Sequence, residues 1–123
     1  MSGIAAWLTV GDASAAVAFY GTAFGAAVVH RTEIDGQVIV ARLSLAGSEF
    51  WVQQDDGVDP AARAPQAVAA VRMIVSNDDP DDAFARAVAT GAIAVADPHT
   101  EHGWRTGRVR DPFGHEWELS REL

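Results

Sequence analysis

Apolar residues in this chain fall into short runs, set around two longer segments with helical spacing. Residues 4–10 (IAAWLTV) are almost wholly apolar and are closed by Gly11-Asp12, which predicts a buried strand. Asp12 can then cap a helix, because its carboxylate accepts the free N–H groups of the first turn. Across that helix Ala16, Phe19, Tyr20, Ala23 and Phe24 recur three and four residues apart, and Gly25 ends it. Strands are predicted over 26–32, 38–45 and 48–53, separated by the turn pairs Asp35-Gly36 and Ala46-Gly47.

A stretch beginning DDGVDPAARAPQA has no periodicity and reads as a linker, residues 55–69. The order then restarts. An apolar strand over 71–76 precedes Asp78-Asp79-Pro80, a helix start with acidic residues at the positive end of the helix dipole. Ala83, Phe84, Ala87 and Val88 make the apolar stripe, Gly91 stops it, and strands follow over 92–96, 103–110 and 115–119. AVAFYGTAFGAAVV in the first half is answered by AFARAVATGAIAVA in the second. Strand, helix, glycine and three strands therefore occur twice. One such half cannot cover its own apolar face, so two must pack, within a chain or between chains. The predicted fold is α+β: βαβββ modules over 1–54 and 70–123, together one domain. Their curved mixed sheets surround a cup-shaped cleft, with helices outside.

Composition narrows the function. Hydrophobic residues are 49% of the 123, and charged residues 21%, as in an ordinary globular protein. Nine basic against 17 acidic residues give a net charge of −8, which offers no basic surface to nucleic acid. Without cysteine there are no disulfides, zinc–thiolate sites or thiol nucleophiles. No apolar run approaches the ~18 residues of a membrane span, and the N-terminus lacks a basic region followed by a long apolar one. A cytoplasmic protein is expected. The G-x-S-x-G, G-x-x-x-x-G-K and G-x-G-x-x-G motifs are missing.

DPFGHEWEL, residues 111–119, resembles the terminal signature of the vicinal oxygen chelate superfamily, which includes glyoxalase I, bleomycin-resistance proteins and extradiol dioxygenases. LTVGDASAAVAFYGTAFGA resembles that family's opening strand and helix. The resemblance implies paired βαβββ modules, a homodimer and a cup-shaped site. In metal-dependent members, two carboxylates and one or two histidines on inward-facing strand positions hold a divalent ion, which polarises adjacent substrate oxygens. Carried onto this chain, those positions fall at about Ala5, at about Trp51, within 70–72, and at Glu118. Only Glu118 keeps a ligand type, whereas such sites normally take three or more protein ligands.

On the closing strand, Glu116 and Glu118 share one face, while His115, Trp117 and Leu119 share the other. With Trp117 and Leu119 toward the helices, Glu118 faces the cup, either as a functional carboxylate or paired with Arg108 or Arg110. Glu116, nearer the turn, reads as structural. His99 and His102 flank Glu101 in HTEHGWRTGR, where Pro98 and Gly103 predict an irregular solvated loop. Trp51 pointing inward would put a flat apolar wall where a metal ligand stands in relatives, and Trp7 and Trp104 would extend it. The expected function is binding of a small organic ligand, without a metal, in a cup lined by Trp7, Trp51, Trp104, Glu118, Arg108 and His102. The role would be sequestration, resistance or transport. The competing expectation is a lyase, isomerase or dioxygenase using one divalent ion held by Glu118 and His102. A third is an interaction domain whose cup has collapsed.

Overall fold

The computed structural model describes residues 3–58 and 69–123. The chain divides into two compact units, Met1–Asp59 and Pro60–Leu123. The expected linker falls mostly on residues 59–68 and so lies outside the described residues; Asp55 to Val58 form a turn, with the Val58 N–H donating to the Asp55 carbonyl at 3.2 Å.

The first unit contains β1 (Trp7–Val10), α1 (Ala13–Phe24), β2 (Ala27–Ile34), β3 (Gln37–Leu45) and β4 (Ser48–Gln54). The second contains β5 (Arg72–Ser76), α2 (Pro80–Thr90), β6 (Ile93–Glu101), β7 (Trp104–Arg110) and β8 (Glu116–Glu122). The sheets run β1-β4-β3-β2 and β5-β8-β7-β6, so the repeat in sequence is a repeat in topology. In each, the opening strand pairs in parallel with the closing strand and the remaining pairs are antiparallel. The α+β class and the βαβββ pattern of each unit are as expected.

Both helices are capped as their sequences predict. The Asp12 carboxylate accepts from the Ala15 N–H at 3.0 Å, and Asp79 accepts from Asp82 at 3.1 Å with Pro80 opening the helix. In the first unit Ala16, Phe19, Tyr20 and Ala23 of α1 are buried, with Ala41, Leu43, Phe50 and Val52 of the sheet. Tyr20 meets Phe50 edge-on at 5.6 Å. In the second unit Ala83 and Ala87 of α2 are buried, with Val109, Trp117 and Leu119. Gly107 allows a close approach here: a Cβ at that position would stand 3.1 Å from Phe84 Cδ2. Alternation along the strands then leaves Trp51 and Gln53, and likewise Glu118 and Ser120, on the sheet faces away from the helices.

One expectation is corrected. The segment around Pro98 is not an irregular loop, because β6 continues to Glu101 and turns into β7 through His102 and Gly103, with φ of 50° and 83°. β6 is an edge strand, where a proline removes no ladder bond, and the register shifts between Ala96 and His99. The positive φ pair matches Asp35-Gly36 and Ala46-Gly47 in the first unit, the conformation that two-residue hairpins need.

Candidate functional site

The open face of the first sheet carries an aromatic platform. Parallel pairing places Trp7 directly beside Trp51, and their rings stack at 5.7 Å and 24°. The Trp7 indole N–H donates to Gln53 Oε1 at 2.8 Å, and the Arg42 guanidinium carbon lies 5.5 Å from the Trp51 ring centroid. Trp7 remains 52% exposed, so the platform is open to solvent.

The second unit holds a concavity of about 360 Å³ on the corresponding face. β5 contributes Arg72, Ile74 and Ser76, β8 contributes Glu118 and Ser120, and β7 contributes Trp104 and Thr106. Glu101 and His102 stand at the hairpin end. Trp104, Glu118 and His102 thus line one concavity. Trp7 and Trp51 belong to the other unit's platform. Arg108 does not line this concavity: its guanidinium turns to Glu116, at 3.7 Å.

Glu118 has a partner that the sequence reading did not assign. Its carboxylate lies 3.2 Å from Arg72 Nε, not against Arg108 or Arg110. Those two arginines take Glu116, with Arg110 at 2.9 Å and both Arg110 and Glu116 only 3% exposed. Arg72 was legible in principle. The pairing that sets Trp7 beside Trp51 sets Ile74 beside Glu118, so Ala5, two residues before Trp7, has Arg72 as its counterpart.

The DPFG turn is held by Asp111, which is 2% exposed. One of its oxygens accepts the N–H groups of Phe113 and His115, each at 2.9 Å, and the other accepts the Trp117 indole N–H at 2.9 Å. This carboxylate locks the turn to the core and so fixes where Glu116 and Glu118 emerge.

At the hairpin, His99 Nδ1 lies 2.8 Å from the Asp97 carbonyl, and Nε2 lies 3.1 Å from Glu101. The backbone bond to Asp97 and then the Glu101 carboxylate raise the His99 pKa above its ordinary value of 6.5. The same His99 bond lowers Glu101. His102 Nε2 stands 3.6 Å from Glu101, with its side chain 88% exposed.

These residues do not fit a resident divalent ion. Of the four positions named from the resemblance, Ala5, Trp51 and the one within 70–72, which the strand pairing puts at Arg72, offer no suitable donor, and the Arg72 cation occupies the carboxylate of the fourth. No group of three or more histidine, aspartate or glutamate side chains able to hold a metal occurs among the described residues.

The sequence matches the glyoxalase-like domain family over residues 5–120. The chain belongs to that family, and through it to the vicinal oxygen chelate superfamily. The uncharacterised protein Rv0887c of Mycobacterium tuberculosis is 34% identical over 124 residues, covering 94% of this chain and 72% of its own. TioX from Micromonospora sp. ML1 is similar with a TM-score of 0.77 and 28% identity, covering 100% of both chains. A bleomycin-binding protein, solved in complex with bleomycin, has a TM-score of 0.69 at 17% identity with 100% of both chains covered, a likeness of fold. No helix among the described residues of this glyoxalase-like chain is long and apolar enough to cross a membrane.

Proposed function

We propose that this glyoxalase-like protein binds a small organic ligand without a resident metal, in a sequestration or resistance role, and works as a homodimer. The observation that carries this reading is the Arg72–Glu118 pair. The one carboxylate kept at the family's ligand positions is neutralised by a guanidinium at 3.2 Å, inside a concavity walled by Trp104 and Ile74. A fixed cation there opposes a divalent ion electrostatically, whereas an aromatic wall with a few polar groups suits an organic molecule. The volume of about 360 Å³ falls in the range of small-molecule sites. The Trp7–Trp51 platform gives the first unit a second surface for a flat ring. Another protein of this fold binds bleomycin, so the architecture is compatible with such a role. Dimer formation is supported by β2, which is exposed along its length and includes Val28, Val29 and Ile34.

The test is elemental analysis of purified protein, combined with titration of planar aromatic compounds followed by tryptophan fluorescence and thermal unfolding. The expected result is no stoichiometric divalent ion, quenching that saturates, and a melting temperature that rises with ligand concentration. A tightly retained ion that Glu118→Gln releases would overturn the reading, as would quenching that never saturates. Sedimentation equilibrium checks the dimer, and a monomer at micromolar concentration refutes that part.

A further inference from the structure

The side chains of the second sheet's open face are in cross-strand register, and their order sets charged rows, a hydroxyl row and Trp104 one after another. Arg72, Glu116 and Arg110 form one row across β5, β8 and β7. Ile74, Glu118 and Arg108 form the next, and Ser76, Ser120 and Thr106 the third. Trp104 lies beyond, paired with Glu101 on one side and Glu122 on the other. In the first two rows three guanidinium groups face two carboxylates, a surplus of one positive charge. The rest of the chain does not share that bias, since the net charge is −8.

By pairing, that surplus belongs to Arg108 and Arg110, which share Glu116, while Arg72 is matched by Glu118; which charge the concavity meets is therefore decided by exposure. Arg108 and Arg110 both turn to the buried Glu116, and neither lines the concavity. Arg72 is bound to Glu118 through Nε, and its side chain is 44% exposed against 15% for Glu118. The accessible part of this ion pair is therefore its cation. A guanidinium anchored through Nε keeps its two terminal nitrogens in one plane, with donors matched to a carboxylate. Next along the pocket stand the hydroxyls of Ser76, Ser120 and Thr106. Thr106 Oγ1 is buried with no hydrogen-bond partner among the described residues, an unmet bond that a ligand oxygen can satisfy after rotation about Cα–Cβ. Trp104, 42% exposed, supplies an apolar wall at the far end, where Glu101 is engaged by His99 and His102.

We infer that the pocket selects an organic carboxylate: a planar apolar body laid against Trp104, with its carboxylate on the terminal nitrogens of Arg72 and its polar edge over the hydroxyl row. This rests on the proposed ligand-binding function and adds the charge of the ligand. Glu118 acts as a positioning residue for Arg72 and does not itself contact the carboxylate.

The experiment uses three matched probes on the intact protein: 1-naphthoate, 1-naphthamide and 1-naphthylmethylammonium. Affinities come from isothermal titration calorimetry, and the site from the Trp104 indole N–H signal in ¹⁵N NMR, assigned with Trp104→Phe. The expected result is that naphthoate binds at least tenfold more tightly than naphthamide, and the ammonium probe more weakly than either. Arg72→Gln should remove the preference for naphthoate over naphthamide, while Arg31→Gln, a variant in the other unit, should retain it. Equal binding of all three probes, or tightest binding of the ammonium probe, overturns the inference and leaves the ligand-binding function standing. Binding of none of them, with the Trp104 signal unmoved, overturns both. The wild-type probe series decides the matter even if Arg72→Gln proves unstable.

Discussion

Replacing Glu116 with glutamine separates the two carboxylates of the closing strand. Glu116 and Arg110 are each 3% exposed and 2.9 Å apart, and Arg108 adds a second cation at 3.7 Å with its side chain 34% exposed. Removing the negative charge breaks the buried Arg110–Glu116 ion pair from one side, a change that typically costs about 3–5 kcal/mol. Glutamine still offers one oxygen to Arg110, so the expected loss lies near the lower end, about 3 kcal/mol. Glu118→Gln has the same chemistry in a different setting. Its partner Arg72 is 44% exposed, water screens the pair, and the loss should stay below about 1 kcal/mol. Urea unfolding followed by tryptophan fluorescence measures both, since Trp117 is in the same core. With a urea slope of about 1–3 kcal/mol per molar, the Glu116→Gln midpoint should fall by about 1–3 M. The double variant Arg110→Met with Glu116→Leu removes the buried pair and leaves only the part-exposed Arg108 without its carboxylate, so it should recover most of the loss. A Glu116→Gln midpoint no lower than that of Glu118→Gln would refute the assignment of Glu116 to structure and Glu118 to the pocket.

Two further outcomes are expected. Trp7→Leu should remove the stacked pair, lowering stability by about 0.5–1.5 kcal/mol and changing the near-ultraviolet circular dichroism; an unchanged spectrum would mean the rings do not stack in solution. His99 should titrate above 6.5 in an NMR pH series, and Glu101→Gln should lower its midpoint part of the way, because the Asp97 carbonyl remains. As folding favours the protonated ring, its contribution to stability is complete below pH 6.5 and is lost as the pH rises through the His99 midpoint. A His99 midpoint at or below 6.5 contradicts the contacts drawn around it.

The fold was legible because local signals agreed with one another. Asp12 and Asp79 cap the helices, Gly25 and Gly91 end them, and turn pairs with positive φ separate the strands. The continuation of β6 past residue 96 escaped notice because Pro98 normally argues against a strand, and only its place at the sheet edge removes the objection. The partners of charged residues were less legible. Sequence proximity favoured Arg108 or Arg110 for Glu118, but β5 pairs in parallel with β8 and brings Arg72 from some 46 positions away. The role of Asp111 was not legible, since nothing local announces that its second oxygen reaches the Trp117 indole.

The internal repeat turns these assignments into a comparison made within one molecule. Equivalent rows of the two sheets read Trp7, Trp51, Arg42 and Ile74, Glu118, Arg108. Arginine stands at the third position of both rows, yet its environment differs. Arg42 lies over the Trp51 ring with the Glu49 carboxylate 3.8 Å from its Nε, while Arg108 lies against the buried Glu116. Once Glu116 has drawn in both Arg108 and Arg110, Glu118 has no other arginine on its own face of the β7–β8 hairpin, and the one that reaches it, Arg72, comes from β5. β5 borders the concavity, so the guanidinium that neutralises Glu118 is also exposed to whatever enters. A buried pair that serves stability thereby decides which guanidinium is left to Glu118, two residues further along the same strand.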